Sequence, residues 1–386
     1  MERRQFVTAA ALAAVLPALA PAAAYARGAA GAAGDRPAAP SPGIPARAEV
    51  LEVVRRVADQ WIGAHSDPGD NGWARATLFS GMMAAHRLTG ERRYLDYTRD
   101  WAESHDYGLL GGVTTRHADN QCAGQAYLDL HEVDGDPAAL TAIEECLHTM
   151  VTDQPDKNDD WWWDDALHMA MPPFARLGVL RGDPSYLEKM HALYTHTRSV
   201  EGGPGLWIPG SGLWYRDKNF LPGGITSPNG LPVVWSRGNG WVAGAHAKVL
   251  AVLPPGAPGL AEYRATLVQQ LGALRSVQRA DGFWNVNLAD PAHLPGPETS
   301  GTAFFAYASA WAVRSGLVPA GTYRPVAARA WNGMVATAVH PDGFLGYVQG
   351  VGDRPESSQP VGWTTTADFG VGAFLMAGAQ IAALAR

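Results

Sequence analysis

Between residues 159 and 174 the chain reads DDWWWDDALHMAMPPF, three adjacent tryptophans flanked on each side by a pair of aspartates. A carboxyl set among indole rings is poorly solvated, which raises its pKa and lets it hold a proton near neutrality, as a general acid must. Indole faces also stack on sugar rings, so the combination points to carbohydrate chemistry. The plainer reading is a Trp-rich helix entry capped by Asp. Which of the four aspartates would cap and which would do the chemistry is open from these residues alone, while Leu167, Met169 and Phe174 begin an apolar helix.

Other polar groups recur at comparable places. Arg116-His117-Ala118-Asp119-Asn120-Gln121 puts a carboxylate near a helix start, where Asp119 is an N-cap or a second catalytic group. In Val234-Trp-Ser-Arg-Gly-Asn-Gly-Trp241, two glycines around Asn239 let backbone approach a ligand, and Arg237 lies between Trp235 and Trp241. A guanidinium there suits a substrate carboxylate in a bidentate fork, or else a loop-fixing role. Arg216, Lys218 and His117 lie in the same kind of loop and compete for that task. Glu298 and Ser300 give an apolar helix a polar start suited to sugar hydroxyls. Trp162, Trp163, Trp235 and Trp241 are stacking candidates that also suit packing. Asp165-Ala-Leu-His168 would put two metal ligands on one helix face, but no second Glu-x-x-His copy accompanies it. No metal or cofactor is therefore expected, and His168 is taken as a substrate-side hydrogen-bonding or packed residue.

The elements that must position these groups are helical. Apolar periodicity predicts helices near 47–64, 73–88, 92–105, 119–133, 137–153, 163–180, 184–198, 239–253, 259–278, 299–315, 321–338 and 366–385. Short turns close with Gly and reopen on an acidic residue or Pro: Thr89-Gly90-Glu91, Asp134-Gly135-Asp136-Pro137 and Arg181-Gly182-Asp183-Pro184. Gly256 and Gly316 continue the series at wider spacing. The alternate connections, 66–73, 107–118, 155–162, 201–238, 281–298 and 341–365, are long and rich in Trp, Gly and Pro, and long loops in compact domains are usually functional. Short turns at one end and long loops at the other describe an all-α (α/α)6 barrel in a single domain, with an open α-solenoid as the alternative. In the barrel every long loop meets the N-terminal ends of the inner helices on one rim.

Composition bounds the partners. A formal net charge of -7 without Lys/Arg runs argues against nucleic acid or an anionic membrane, and 14 Trp in 386 residues is heavy for a soluble chain. The start, MERRQFVTAAALAAVLPALAPAAAYA, has a basic beginning, an apolar run and a small-residue cleavage pattern near Ala26. Arg3-Arg4 followed by Gln5-Phe6-Val7 suggests a twin-arginine signal over 1–26, and hence export to the periplasm or beyond. Residues 27–46 are expected to be a disordered leader, and 47–386 the catalytic domain, with no membrane span in the mature form. Cys122 and Cys146 are expected as buried free thiols.

Three passages, DDWWWDDALHMAMPPFARL, SPNGLPVVWSRGNGWVAGA and DGFWNVNLADPAHLPGPETSGTAFFAYA, closely resemble glycoside hydrolase family 105, the unsaturated rhamnogalacturonyl hydrolases related to family 88. RHADNQCAGQAYLDL, GYVQGVGDRP and FGVGAFLMAG extend the resemblance in order over nearly the whole mature chain. It implies an (α/α)6 barrel that removes a 4,5-unsaturated uronic acid from the non-reducing end of a lyase-generated oligosaccharide. In that family an Asp of the tryptophan motif protonates the C4=C5 double bond, water adds at C5 and the hemiketal falls apart. The resemblance places that Asp at Asp165 and the assisting carboxylate at Asp119, which leaves the capping role to Asp159 or Asp160. Where the family commonly shows a second acid beside the latter, this chain has Asn120. Burial against Trp161, Trp162 and Trp163 and the like charges of Asp164 and Asp119 are expected to keep Asp165 protonated against the helix dipole, which favours the charged form. Inverting hydrolysis of a saturated glycoside by Asp165 with Asp119 or Glu298 is the competing chemistry. A non-catalytic carbohydrate-binding protein is the competing class.

Overall fold

The computed structural model describes residues 39–385. Thirteen helices occupy them: α1 (Arg47–Ala64), α2 (Trp73–Thr89), α3 (Arg92–Ser104), α4 (Ala118–Gln121), α5 (Ala123–Asp134), α6 (Ala138–Thr152), α7 (Ala166–Arg181), α8 (Pro184–Ser199), α9 (Ser236–Leu250), α10 (Leu260–Ser276), α11 (Thr299–Arg314), α12 (Ala320–Thr337) and α13 (Asp368–Leu384). The helix expected over 119–133 is interrupted at Cys122, which separates α4 from α5. A two-residue antiparallel hairpin, β1 (Trp207–Ile208) with β2 (Leu213–Trp214), sits in the longest loop.

The helices alternate between an outer and an inner ring. Helices α2, α5, α7, α9, α11 and α13 pack each against the next, and α13 closes on α2. They are buried on nearly every face, α9 and α11 almost throughout, whereas α1, α3, α6, α8, α10 and α12 bury one stripe. Closure excludes the open solenoid. It depends on two glycines: a Cβ on Gly81 would lie 2.5 Å from the Gly372 Cα, and one on Gly372 would lie 2.2 Å from the Thr77 carbonyl oxygen. Only bare backbone lets α2 and α13 approach so closely.

The short turns are the ones the Gly-acid pattern marks. Gly90, Gly135 and Gly182 adopt the left-handed conformation with φ of 76°, 71° and 63°, each donating its N–H back into the last helical turn. Asp183 then caps α8 by accepting from the Ser185 N–H. Every inner helix therefore begins where a long loop ends, and the long loops gather on one rim. Main-chain bridges tie them together there, Trp163 with Asp217 and Trp235 with Asn287, and Trp284 with Glu298 closes the 281–298 loop on itself.

Two expectations meet different outcomes at the N-terminus. The signal segment lies outside the described residues. The leader does not stay free up to residue 46: the Ser41 and Gly43 carbonyls accept from Asn332 Nδ2, and Ile44 packs on the core. Cys122 and Cys146 are buried free thiols, both pushed up to about 12 by burial. Among the described residues no helix is long and apolar enough to cross a membrane.

Candidate active site

The tryptophan stretch enters α7 through a tight turn. Trp163 pairs with Asp217, and the Asp164 N–H donates to the Arg216 carbonyl at 2.8 Å, so the 215–217 segment is zipped along the helix entry. This pairing places the Arg216 guanidinium between two carboxylates: Nε lies 3.2 Å from Asp165 Oδ2 and Nη1 lies 2.7 Å from Asp217 Oδ2. Burial works against the Arg216 charge, but Asp165 and Asp217 outweigh it and raise its pKa. Neither Asp159 nor Asp160 caps α7. Asp160 instead takes Arg116 in a bidentate pair, with Nη2 at 2.6 Å, and Asp159 binds Lys157, so both fix the loop.

Asp119 sits in the first turn of α4 but makes no capping bond. Its carboxyl is 26% exposed, with His117 Nδ1 3.8 Å away. Burial and the nearby Asp165 charge push it up to about 7 against the pull of Arg216. It is thus a carboxyl half-protonated near neutrality, free of structural duty and beside Asp165. Above it His117 packs on Trp163 at 4.8 Å between ring centroids, and Trp163 on Trp162 at 4.5 Å. Burial lowers the His117 pKa, which favours the neutral ring. Trp162 is 41% exposed and carries Arg216 5.6 Å from its ring centroid, so it offers an open aromatic face on the rim.

Asp164 lies behind Asp165, wholly buried, with no donor on either carboxyl oxygen. It is pressed against the first turn of α9, where a Cβ on Gly238 would come within 2.6 Å of its Oδ2. Burial first, and the Asp165 charge second, raise it well above the ordinary carboxyl range. The tryptophans were expected to shield Asp165; its side chain is 13% exposed and has an arginine partner, and the wholly buried carboxyl is that of Asp164.

Several residues expected at the substrate prove to build the walls. Glu298 caps α11, accepting from the Ser300 and Gly301 N–H groups at 2.8 Å each, from the Ser300 hydroxyl at 2.6 Å and from the Gln349 N–H at 3.2 Å. Both it and Ser300 are buried, and their polar atoms are engaged with each other rather than open to a sugar. Asn239 accepts from the Trp214 N–H and donates to the Trp214 and Trp235 carbonyls, which locks the β1–β2 hairpin onto α9. His168 is enclosed between Trp241 and Phe304, at centroid distances of 4.8 and 5.0 Å. Burial holds its pKa well below the usual value. Trp235 and Trp241 are buried as well; Trp235 Nε1 donates to Gln349 Oε1.

Arg237 is a different case. Its Nη1 donates to the carbonyls of Gln349 and Gly350 at 2.7 and 2.9 Å, and its guanidinium lies 4.3 Å from the Trp235 ring centroid and 5.1 Å from that of Phe369. Among the described residues no carboxylate comes within ion-pair distance of it. Burial lowers its pKa to about 10, with Glu298 and Asp165 acting at longer range in the opposite direction. A buried guanidinium without a counter-ion is costly on its own and is suited to receive an anion. Arg216, by contrast, is already paired with two carboxylates. Its role in orienting Asp165 is hard to see in Trp214-Tyr-Arg-Asp217, where only the alternation of aromatic and charged residues marks it.

A profile of Glycosyl Hydrolase Family 88 matches residues 50–385. The chain belongs to glycosyl hydrolase family 88. It is accordingly a glycoside hydrolase, and the resemblance to family 105 fits the same findings. It is 29% identical over 352 residues to the unsaturated 3S-rhamnoglycuronyl hydrolase of Formosa agariphila, covering 86% of this chain and 90% of that protein. A solved family 88 glycosyl hydrolase from Bacteroides vulgatus superposes with a TM-score of 0.81 at 32% identity, over 88% of this chain and 99% of that one. A second solved structure, bearing the name polysaccharide lyase, superposes with a TM-score of 0.82 at 32% identity over 88% of this chain and 98% of its own.

Proposed function

We propose that this hydrolase removes a 4,5-unsaturated uronic acid from the non-reducing end of a lyase-generated oligosaccharide, with rhamnose as the neighbouring sugar. The observation that carries the substrate class is the similarity to the unsaturated 3S-rhamnoglycuronyl hydrolase over nearly that protein's full length. The geometry supports the chemistry. Asp165, on the rim and held by Arg216, is the proposed donor of the proton to C4. As the π pair forms the C4–H bond, C5 becomes electron-deficient and water adds there. Asp119, held up to about 7, exchanges the proton of that water in the pH range where the reaction must run. The resulting hemiketal opens and releases the aglycone.

Arg237 is the proposed partner of the uronate carboxylate, because binding would supply the counter-ion that the buried guanidinium lacks. Trp162 is the proposed stacking face for the next sugar. The twin-arginine pattern at Arg3-Arg4 supports export, which would place the enzyme where polysaccharide lyases work. The reading is tested by incubating the mature protein with oligosaccharides that end in an unsaturated uronate and following the double-bond absorbance. Loss of absorbance is expected. Cleavage confined to saturated ends would replace the reading with ordinary two-carboxylate hydrolysis.

A further inference from the structure

Asp164 has no place in the reaction described so far, yet it is a fully buried carboxyl side by side with the proposed acid. No donor reaches either of its oxygens. The carboxyl of Asp165, the next residue, is the charge that acts on it most strongly. Two carboxylates are both acceptors, so a hydrogen bond between them exists only if one carries a proton. Asp165 is ion-paired with Arg216, whereas Asp164 has no cation of its own. A charged, unpartnered carboxylate in that position is strongly disfavoured. The proton of the pair therefore belongs on the inner member. Around Asp164 the titratable and charged groups are Asp165 and His168 on its own element, Arg216 and Asp217 on the segment zipped to it, and Arg237 at the start of α9, against which it packs through Gly238.

We propose that Asp164 and Asp165 work as a one-proton pair, in which Asp164 stores the proton that Asp165 delivers to the substrate. This rests on the assignment of Asp165 made above. In the resting pair the proton sits on an Asp164 oxygen and Asp165 is the carboxylate held by Arg216. On reaction the proton passes from Asp164 to Asp165 and from Asp165 to C4, whose new C–H bond takes the π electrons. Water then forms the C5–O bond with an oxygen lone pair, and its released proton returns through Asp165 to Asp164, directly or by way of Asp119. One water has been added and the pair is restored. Asp164 touches no substrate in this scheme; it acts through Asp165. The relay resolves the conflict at Asp165, which must donate a proton while lying at a helix start beside a guanidinium.

The test is Asp164→Asn, an isostere of the neutral acid that keeps the shape and a donor towards Asp165 but cannot give up a proton. The expected result is a fall in kcat of roughly 10²-fold or more with KM within about threefold of wild type, since only the proton step is lost. A kcat within about threefold of wild type overturns the relay. Asp165→Asn is run beside it: turnover in that variant overturns the reading of Asp165 itself, whereas an inactive Asp165→Asn with an active Asp164→Asn overturns the relay alone. Should Asp164→Asn fail to fold, infrared spectra of the wild type decide. A neutral-carboxyl band that persists above the range where Asp119 ionises and shifts in Asp165→Asn is expected, and its absence overturns the proposal.

Discussion

Asp119 carries a pH-dependent cost that substitution should remove. Its carboxyl moves from an ordinary 3.8 to about 7 on folding, mainly because it is buried and faces Asp165. Below its unfolded pKa the acid is neutral in both states and stability is unaffected. As pH rises between the two values the folded protein binds the extra proton, so stability falls with rising pH until the folded carboxyl also ionises. At about 1.36 kcal/mol per pH unit the full penalty is about 4 kcal/mol, an upper bound because the group is a quarter exposed and partly screened. Asp119→Asn keeps the shape and removes the charge. Urea unfolding followed by tryptophan fluorescence should show the variant gaining on wild type by about 2–3 kcal/mol between about pH 5 and about pH 8, with equal slopes for the two proteins. The same variant should lose activity. A stability difference that stays constant across that range would refute the account of why Asp119 holds a proton near neutrality.

Arg237→Lys should raise KM for an unsaturated uronide about tenfold while lowering kcat less, because an ammonium cannot form the bidentate pair with the carboxylate. An unchanged KM would remove Arg237 from the binding account. Glu298→Gln should lower stability by about 1–3 kcal/mol through the weakened cap of α11, measured by urea unfolding, and leave KM near wild type. A rise in KM without loss of stability would return Glu298 to the substrate.

The ring was legible because its punctuation is local. Gly90, Gly135 and Gly182 need the left-handed conformation and the following acids or prolines start helices, so turn chemistry alone marks which connections are short. The long loops then fall on one rim by topology. Asp119 and Asp165 come together there for the same reason. What the sequence hides is how each rim residue spends its polar atoms. Glu298 at a helix start reads equally as ligand or cap, and only the three N–H groups converging on it decide for the cap. Asn239 between glycines suggests an open backbone, but its amide is consumed by Trp214 and Trp235, through a hairpin too short to show strand periodicity. Asp164 and Asp165 are indistinguishable as adjacent letters. Their difference arises from two segments distant in sequence, Arg216 beside one and Gly238 against the other.

Proton delivery by Asp165 to the C4=C5 double bond of an unsaturated uronide is the step on which the proposed function stands. Its most direct test pairs wild type with Asp165→Asn on a lyase-generated unsaturated oligosaccharide in heavy water, reading the double-bond absorbance and the deuterium content of the released sugar. Wild type should bleach the absorbance and place deuterium at C4, and a folded Asp165→Asn should do neither. Bleaching at near-normal rate by the variant, or release of a sugar whose double bond is intact, would contradict the account.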